Sequence, residues 1–342
     1  MSGSRWQSNR VTIKDIARAA AVAPSTVTRA LQGSARVKGV TRERIAKLAE
    51  EMGYVPNMAA RTLVNRQSGL IGVVMPDMTN PFFADLAKGI EDEAAKHDLR
   101  ILITDTRGIE AAERDAVTLF LELKVDGMIV PAARCPVSYY DGLPSAMPLV
   151  HVNSEGATHN VSCDTVHGST LILRHLAELG HRRIAFVRGP APPGREPKMH
   201  AYRVFLQEQA LQYDPDLIFT FDGTLDSSSD IAAQLTGLPL PPTAVFAWND
   251  VNAIGLIHAL RDLGWSVPGD LSVAGHDDIQ LAGSVEPALT TVRWPMYALG
   301  QQSIRYLYSL GHGQTPGMPE VSPPQLIVRE STGSPKAARH SS

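Results

Sequence analysis

Apolar residues recur at helical spacing over the first fifty positions and in alternating strand and helix patterns after residue 70. Ile13, Ile16, Ala17 and Ala20 form one helical stripe, and Thr12 with Asp15 has the form of a capping box. Ala21-Val22-Ala23 breaks that pattern tightly. Pro24 suits a first helical turn, so a second helix is predicted over 24–31, with Val27, Ala30 and Leu31 inward. Pro24, Ser25, Thr28 and Arg29 are left on its outer face. Gly33 and Gly39 bound a loop holding Arg36 and Lys38, and a third helix over 41–52 places Ile45, Leu48 and Met52 on one side. Two short helices joined by a three-residue turn make a helix-turn-helix, the unit whose second helix enters the major groove of DNA.

Residues 54–66 join this head to the rest. Pro56 fits a first turn, and 57–64 carries helix formers with Met58, Ala59, Ala60 and Leu63. A helix of about two turns is marginal alone in water and forms when a partner helix or DNA holds it. The segment is therefore read either as a coupling element or as an ordinary linker helix.

From residue 70 the pattern predicts strands at 70–75, 100–104, 127–130, 149–152, 183–187, 217–221, 244–247 and 271–274. Helices fall between them at 81–96, 111–123, 168–179, 198–211 and 251–263. Alternating strand and helix implies parallel sheets covered on both faces. The set exceeds one ordinary sheet, which gives an α/β body of two Rossmann-like subdomains behind an all-α head.

Charge sharpens this division. The 342 residues carry a net −3, yet 1–66 hold 12 Lys+Arg against 4 Asp+Glu and the remainder 20 against 31. A +8 head on a −11 body directs a polyanion to the head alone. No apolar run reaches a membrane span, and the polar start is not a signal peptide. Two cysteines, Cys135 and Cys163, are too few for a disulfide framework, so a cytoplasmic location fits.

The string from Val11 to Leu31, with Thr41-Arg42, Gly53 to Asn57, Ala60 and Leu63, closely resembles the LacI/GalR family of bacterial repressors. The resemblance continues through Ile71 to Val74, Pro76 to Phe83, Leu179-Gly180-His181, Trp248-Asn249-Asp250, Pro268 to Asp278, Leu289 to Val292 and Val328 to Thr332. It covers nearly the whole chain. It implies a regulator, most simply a repressor, that binds a double-stranded palindromic operator as a homodimer. A small sugar or sugar-acid effector in a cleft between the subdomains would control it. The implied organisation is a helix-turn-helix domain at 1–53, a hinge helix at 54–66, and a body of the periplasmic-binding-protein type at 67–333. The chain would cross between subdomains near Asp164, Arg293 and Pro323, giving one subdomain at 67–164 and 293–322 and the other at 165–292 and 323–333. The basic, Ser-rich stretch 334–342 reads as a disordered tail. Nothing after Thr332 carries a leucine heptad, so a dimer is expected rather than a tetramer.

On the DNA side the resemblance assigns base contacts to positions 24, 25 and 29 and a minor-groove wedge to Leu63. With them stand Thr28, Arg36, Asn57 and Ala60. Ala23 occupies the place where the family usually has a capping Ser, a loss of roughly 0.5–2 kcal/mol. Pro24 offers no side-chain hydrogen bond. Readout then leans on Arg29, whose fork suits guanine, with Ser25 helping.

On the effector side, polar and aromatic residues just after strands are the candidates: Asp77, Asn80, Phe82, Asn153, Trp248, Asn249, His276 and Asp277. Asn80 and Asn249 also read as helix caps, and Asp277 as a turn residue. Lys198 joins the set. Many family members place an Arg one turn before a Gly-Tyr pair, and here Lys198 precedes Ala201-Tyr202. A flexible point charge in place of a planar fork favours a carboxylate or phosphate over a sugar diol, unless Lys198 is merely solvated. His159, Cys163 and His167 recur every four residues, but Asp164 is expected to break any helix there, so no metal site is assigned. Gly189 to Gly194 imitates a phosphate loop without its Lys-Ser/Thr and reads as an irregular turn. No catalytic set or cofactor motif is legible. That opposes a sugar-modifying enzyme, and the basic head opposes a solute-binding protein, the two alternatives for an α/β body of this kind.

Overall fold

The computed structural model describes residues 11–31, 33–54, 67–144, 147–154, 156–189, 196–314, 316–317, 319 and 321–336. Its packing divides the chain into two units, residues 1–68 and 69–342.

The first unit is three helices, α1 (Ile13–Ala19), α2 (Pro24–Leu31) and α3 (Gly39–Glu51). Both halves of the Thr12–Asp15 capping box form. The turn between α1 and α2 closes through Ala21 at φ 54, and Ala23 contributes its carbonyl to Thr26 and Val27 but has no side chain to cap with. Ile16, Val27, Ala30, Ile45 and Ala49 make the core. Arg44 of α3 donates to the carbonyl of Ala20 at 2.9 Å, which fixes the third helix against the end of the first. Helix α3 begins two residues before its predicted start, because the backbone turns helical at Gly39.

The second unit opens with β1 (Leu70–Met75), α4 (Phe82–Ala95), β2 (Arg100–Asp105), α5 (Glu110–Leu123), β3 (Gly127–Pro131), α6 (Val137–Asp141), β4 (Leu149–Val152) and β5 (Asn160–Val161). Its parallel sheet has the order β2-β1-β3-β4-β5. The chain continues through α7 (Thr165–Glu178), β6 (Ile184–Arg188), α8 (Pro197–Glu208), β7 (Ile218–Thr220), α9 (Leu225–Gly237), β8 (Ala244–Phe246), α10 (Asp250–Asp262) and β9 (Ser272–Ala274). These strands form a second parallel sheet in the order β7-β6-β8-β9. It then runs through β10 (Thr291–Arg293), α11 (Met296–Gly311) and β11 (Gln325–Ile327), with β10 and β11 antiparallel. Helix α11 packs on α4, β3 and β4 of the first sheet, while α7 packs on β10 and β11. The chain therefore leaves the first sheet after β5, returns through β10 and leaves again through β11.

Strand interiors are almost wholly buried, as expected of sheets covered on both faces: Val73, Met128, Ile129, Val150, Ala185, Phe186, Val245 and Val273 are inaccessible to solvent. As expected, no single helix runs through 159–167: β5 lies before Asp164, and Asp164 marks the start of α7 as its cap, its carboxylate accepting from the His167 amide at 2.8 Å. One sequence expectation needs correction. The tail does not loosen at 334. Gly333 bonds Ser272, and Lys336 donates to Asp270 at 2.5 Å, so the chain stays fastened to the second sheet through 336.

Candidate functional site

In the first unit, α2 turns Val27 and Ala30 into the core and leaves Pro24, Ser25 and Arg29 exposed. Thr28 is half-buried, and its hydroxyl bonds back to the Pro24 carbonyl at 3.1 Å, so its donor is already used within the helix. Arg36 is exposed in the loop before α3. Asn57, Ala60 and Leu63 lie outside the described residues.

In the second unit a cavity of about 410 Å³ opens beyond the carboxyl ends of both sheets, a volume suited to a sugar-sized molecule. The segments after β1, β2, β3 and β4 supply Asp77, Arg107, Arg134 and Asn153. The segments after β7, β8 and β9 supply Asp222, Trp248 with Asn249, and His276 with Asp277. Asp77, Asn80, Phe82, Asn153, Lys198, Trp248, Asn249 and Asp277, all proposed from sequence, line this one space. The same position after a strand also marks Arg107, Arg134 and Asp222, which the sequence reading passed over. Trp294 lines it too, from the chain's return after β10, where sequence offers only a crossing.

The local fold explains how these groups are held. Asn249 caps α10, its side-chain oxygen accepting from the Asn252 amide at 2.9 Å. Asn80 accepts from the Phe82 amide at 3.0 Å, and Asn153, at φ 52, accepts from the Cys163 amide at 3.0 Å. Asp77 holds the amide and hydroxyl of Thr79. Phe82 meets both Phe83 and Trp294 edge-on.

Lys198 is not a solvated residue of the first turn of α8. It is 7 % exposed, lies 4.3 Å over the Trp248 ring and donates to the Trp248 carbonyl at 2.5 Å. The other approach to that indole is taken by Gly189, where a Cβ would fall 2.2 Å from ring atoms. Trp248 therefore acts first as the seat of Lys198. Burial brings the Lys198 ammonium down to about 8, with Asp277 and Asp250 opposing. Burial raises the Asp277 carboxyl well above the usual range, Lys198 pulling it back and Asp250 adding to the rise. His276 is 1 % exposed and held far below its ordinary value by burial and by Lys198. Its Nδ1 accepts from the Trp294 indole at 3.1 Å, so the neutral ring carries its proton on Nε2.

His159, Cys163 and His167 do not gather. His159 meets Tyr306, and Cys163 points its thiol to the Ser322 carbonyl. Among the described residues no group of His, Cys, Asp and Glu is placed to hold a metal. No helix among the described residues is long and apolar enough to cross a membrane.

Comparison with known proteins agrees with both units. Residues 12–57 match the bacterial regulatory proteins of the lacI family, and 173–332 match the periplasmic binding protein-like domain. The HTH-type transcriptional repressor CytR of Escherichia coli is 33% identical over 338 residues, covering 96% of this chain and 98% of that one. Catabolite control protein A of Priestia megaterium is 33% identical, over 94% and 99% of the two chains. The lac repressor dimer bound to operator and the anti-inducer ONPF superposes with a TM-score of 0.83 at 25% identity, over 95% of this chain and 100% of that one. CytR is named as a transcriptional repressor and neither relative as an enzyme, and at this identity and coverage the chain belongs to the lacI family of bacterial regulatory proteins, as a transcriptional repressor.

Proposed function

We propose that the protein represses transcription by binding a palindromic operator as a homodimer in the cytoplasm, and that a sugar or sugar acid in the cavity of the second unit switches it. The observation that carries this reading is the pairing, in one chain, of a reading helix that exposes Arg29 with a cavity at the carboxyl ends of two sheets, lined by aromatic and polar side chains. Arg29 reads a base through its guanidinium, with Pro24, Ser25 and Thr28 beside it and Arg36 on the backbone. Asn57, Ala60 and Leu63 are assigned to the hinge and minor groove by family resemblance. The lac repressor, solved as a dimer bound to operator, supports the same arrangement for this chain.

Occupation of the cavity shifts the balance between arrangements of the two sheets by the ligand's differential affinity for them. The test is a gel shift of the full chain on the DNA upstream of its own coding region, with sedimentation at micromolar concentration. A dimer that retards this DNA, with log affinity falling linearly in log salt, is expected. A monomer or stable tetramer, or no preference over scrambled DNA, would overturn the reading.

A further inference from the structure

The cavity's hydrogen-bonding capacity is lopsided. Its three asparagines each have Oδ1 turned to a backbone N–H, of Phe82, Cys163 and Asn252 respectively. A backbone N–H can face only the amide oxygen, so the orientation of each amide is fixed and its NH₂ is turned outward. No described group accepts from these three NH₂ groups. Lys198 spends one of its three N–H bonds on the Trp248 carbonyl and keeps two. The Arg107 guanidinium bonds no described side chain, and its only local bond is from its backbone amide to Asp105.

Acceptors are scarcer. Asp77 and Asp222 each have one carboxylate oxygen committed to a neighbouring threonine, Thr79 and Thr224. The Asp277 carboxylate takes no hydrogen bond from a described group; His276 Nδ1, 3.7 Å away, has no proton to give because it already accepts from Trp294.

Every hydroxyl of a neutral sugar brings a proton that needs an acceptor, and a buried donor without one is expensive. A carboxylate or phosphoryl group brings acceptors only. We propose that the effector is an oxyanion of sugar size, whose acceptor oxygens are read by the amide groups of Asn80, Asn153 and Asn249 together with the Lys198 ammonium. Its hydroxyls then serve Asp277 and the uncommitted oxygens of Asp77 and Asp222. This rests on the cavity being the effector site, and it narrows the ligand from sugars in general to their acids or phosphates.

The experiment titrates the full chain by calorimetry with a matched series: D-glucose, D-gluconate, D-glucuronate, D-glucose 6-phosphate and inorganic phosphate. At least one oxyanion is expected to bind about tenfold or more tighter than D-glucose. Gluconate or glucuronate ahead of the phosphates identifies a carboxylate as the source of the charge; the reverse order identifies a phosphoryl group. Asn80→Asp and Asn249→Asp keep the oxygen that accepts from Phe82 and Asn252, so both local hydrogen bonds survive while a donor becomes a charged acceptor. Each is expected to weaken the oxyanion by about tenfold or more and to leave D-glucose unchanged or tighter, a reversal that loss of structure does not produce. Preference for D-glucose, an unchanged preference in both variants, or no binding by any member of the series overturns the proposal. A gel shift run in parallel separates the two readings. Operator binding with no oxyanion response leaves the regulator intact and removes the ligand class. Oxyanion binding without operator retardation does the opposite.

Discussion

Replacing Glu93 by Gln tests the joint between the two helices that flank the first sheet. Glu93 lies on α4 with a side chain 5 % exposed, and its carboxylate receives Arg305 of α11 through Nε at 2.7 Å and a second guanidinium nitrogen at 3.1 Å. Lys96 adds a third bond at 2.7 Å. The Arg305 hydrogen bonds, ahead of the opposing burial and the Lys96 bond, lower the carboxyl from 4.5 to about 2. At about 1.4 kcal/mol per unit that difference amounts to about 3 kcal/mol of stability at neutral pH. Arg305 is 47% and Lys96 56% exposed, so solvent screens the partners and the expected loss in Glu93→Gln is about 1–2 kcal/mol.

The sign follows from the depressed value. Between about 2 and 4.5 the unfolded chain binds more protons than the folded one, so this contribution is complete above 4.5 and disappears as pH falls through about 2. Urea unfolding followed by Trp fluorescence, reporting Trp248, Trp265 and Trp294 in the second unit, should separate wild type from variant at pH 7. The gap should shrink to roughly half or less at pH 3. An equal gap at both pH values would show that the residue acts through shape and not charge.

Asp250→Asn should show the opposite slope. Burial raises this carboxyl from 3.8 to about 6, so its favourable contribution is greatest below 3.8 and falls as pH rises through about 6. The variant removes the titrating group and should flatten the unfolding midpoint between those values, while losing about 1–3 kcal/mol because the amide keeps one acceptor oxygen where the carboxylate used two, for the Ile279 amide and the Thr291 hydroxyl. Gly300→Ala puts a Cβ 2.3 Å from the Leu86 carbonyl oxygen, forces α11 off α4, and should lower stability by about 1–3 kcal/mol or more; an unchanged melting temperature would contradict that packing. Arg29→Ala should weaken operator binding by about 1–3 kcal/mol and relax preference at one base position per half-site; selection from a randomised operator pool checks it, and uniform weakening of all sequences would remove the base-reading role.

Strands β1 and β4 and helix α2 coincide with the ranges their apolar pattern predicts, because propensity, period and capping agree there. Helix α11, absent from the sequence reading, does carry an apolar stripe, with Met296, Leu299, Ile304 and Leu307 buried at helical spacing; Gly300 and Ser303 on the same face permit its close approach to α4. Helix α9 opens with Ser227, Ser228 and Ser229, which read as loop until Thr224 is seen capping it. The two-residue β5 and three-residue β10 and β11 owe their existence to partners distant in sequence. The cavity was largely legible because residues just after parallel strands converge by topology. What sequence could not show was which atoms the fold had already used. Lys198 reads as a charge aimed wholly at the ligand until the Trp248 carbonyl is seen to take one of its N–H bonds, and the Asn153 oxygen reads as a ligand contact until the Cys163 amide claims it.

The loop after β9 joins the cavity to the path of the chain between its two sheets. Asp277 and Asp278 stand at φ 151 and φ 55, two consecutive non-glycine residues in a region that costs energy to hold. The surrounding bonds account for their retention. The Asp277 amide donates to the Val292 carbonyl at 3.0 Å in β10. The two Asp278 carboxylate oxygens are divided between Arg293, at the end of β10, and Arg329, just beyond β11, each at 2.6 Å. Arg329 also donates to the Leu289 carbonyl at 2.7 Å. Beneath the loop, Asp250 bonds the Ile279 amide and the Thr291 hydroxyl, tying α10 to β10 as well. These charge-assisted bonds are among the stronger that side chains make. On the proposed effector role, a ligand group seated on Asp277 would press on a segment whose next residue is bonded to both the return and the second departure of the chain. Any rotation of one sheet against the other must carry β10 and β11 with it, and so must strain or relax the same loop. Coupling between cavity and sheet orientation thus needs no relay of distant contacts: the aspartate that faces the ligand space and the aspartate that gathers the crossovers are neighbours in sequence.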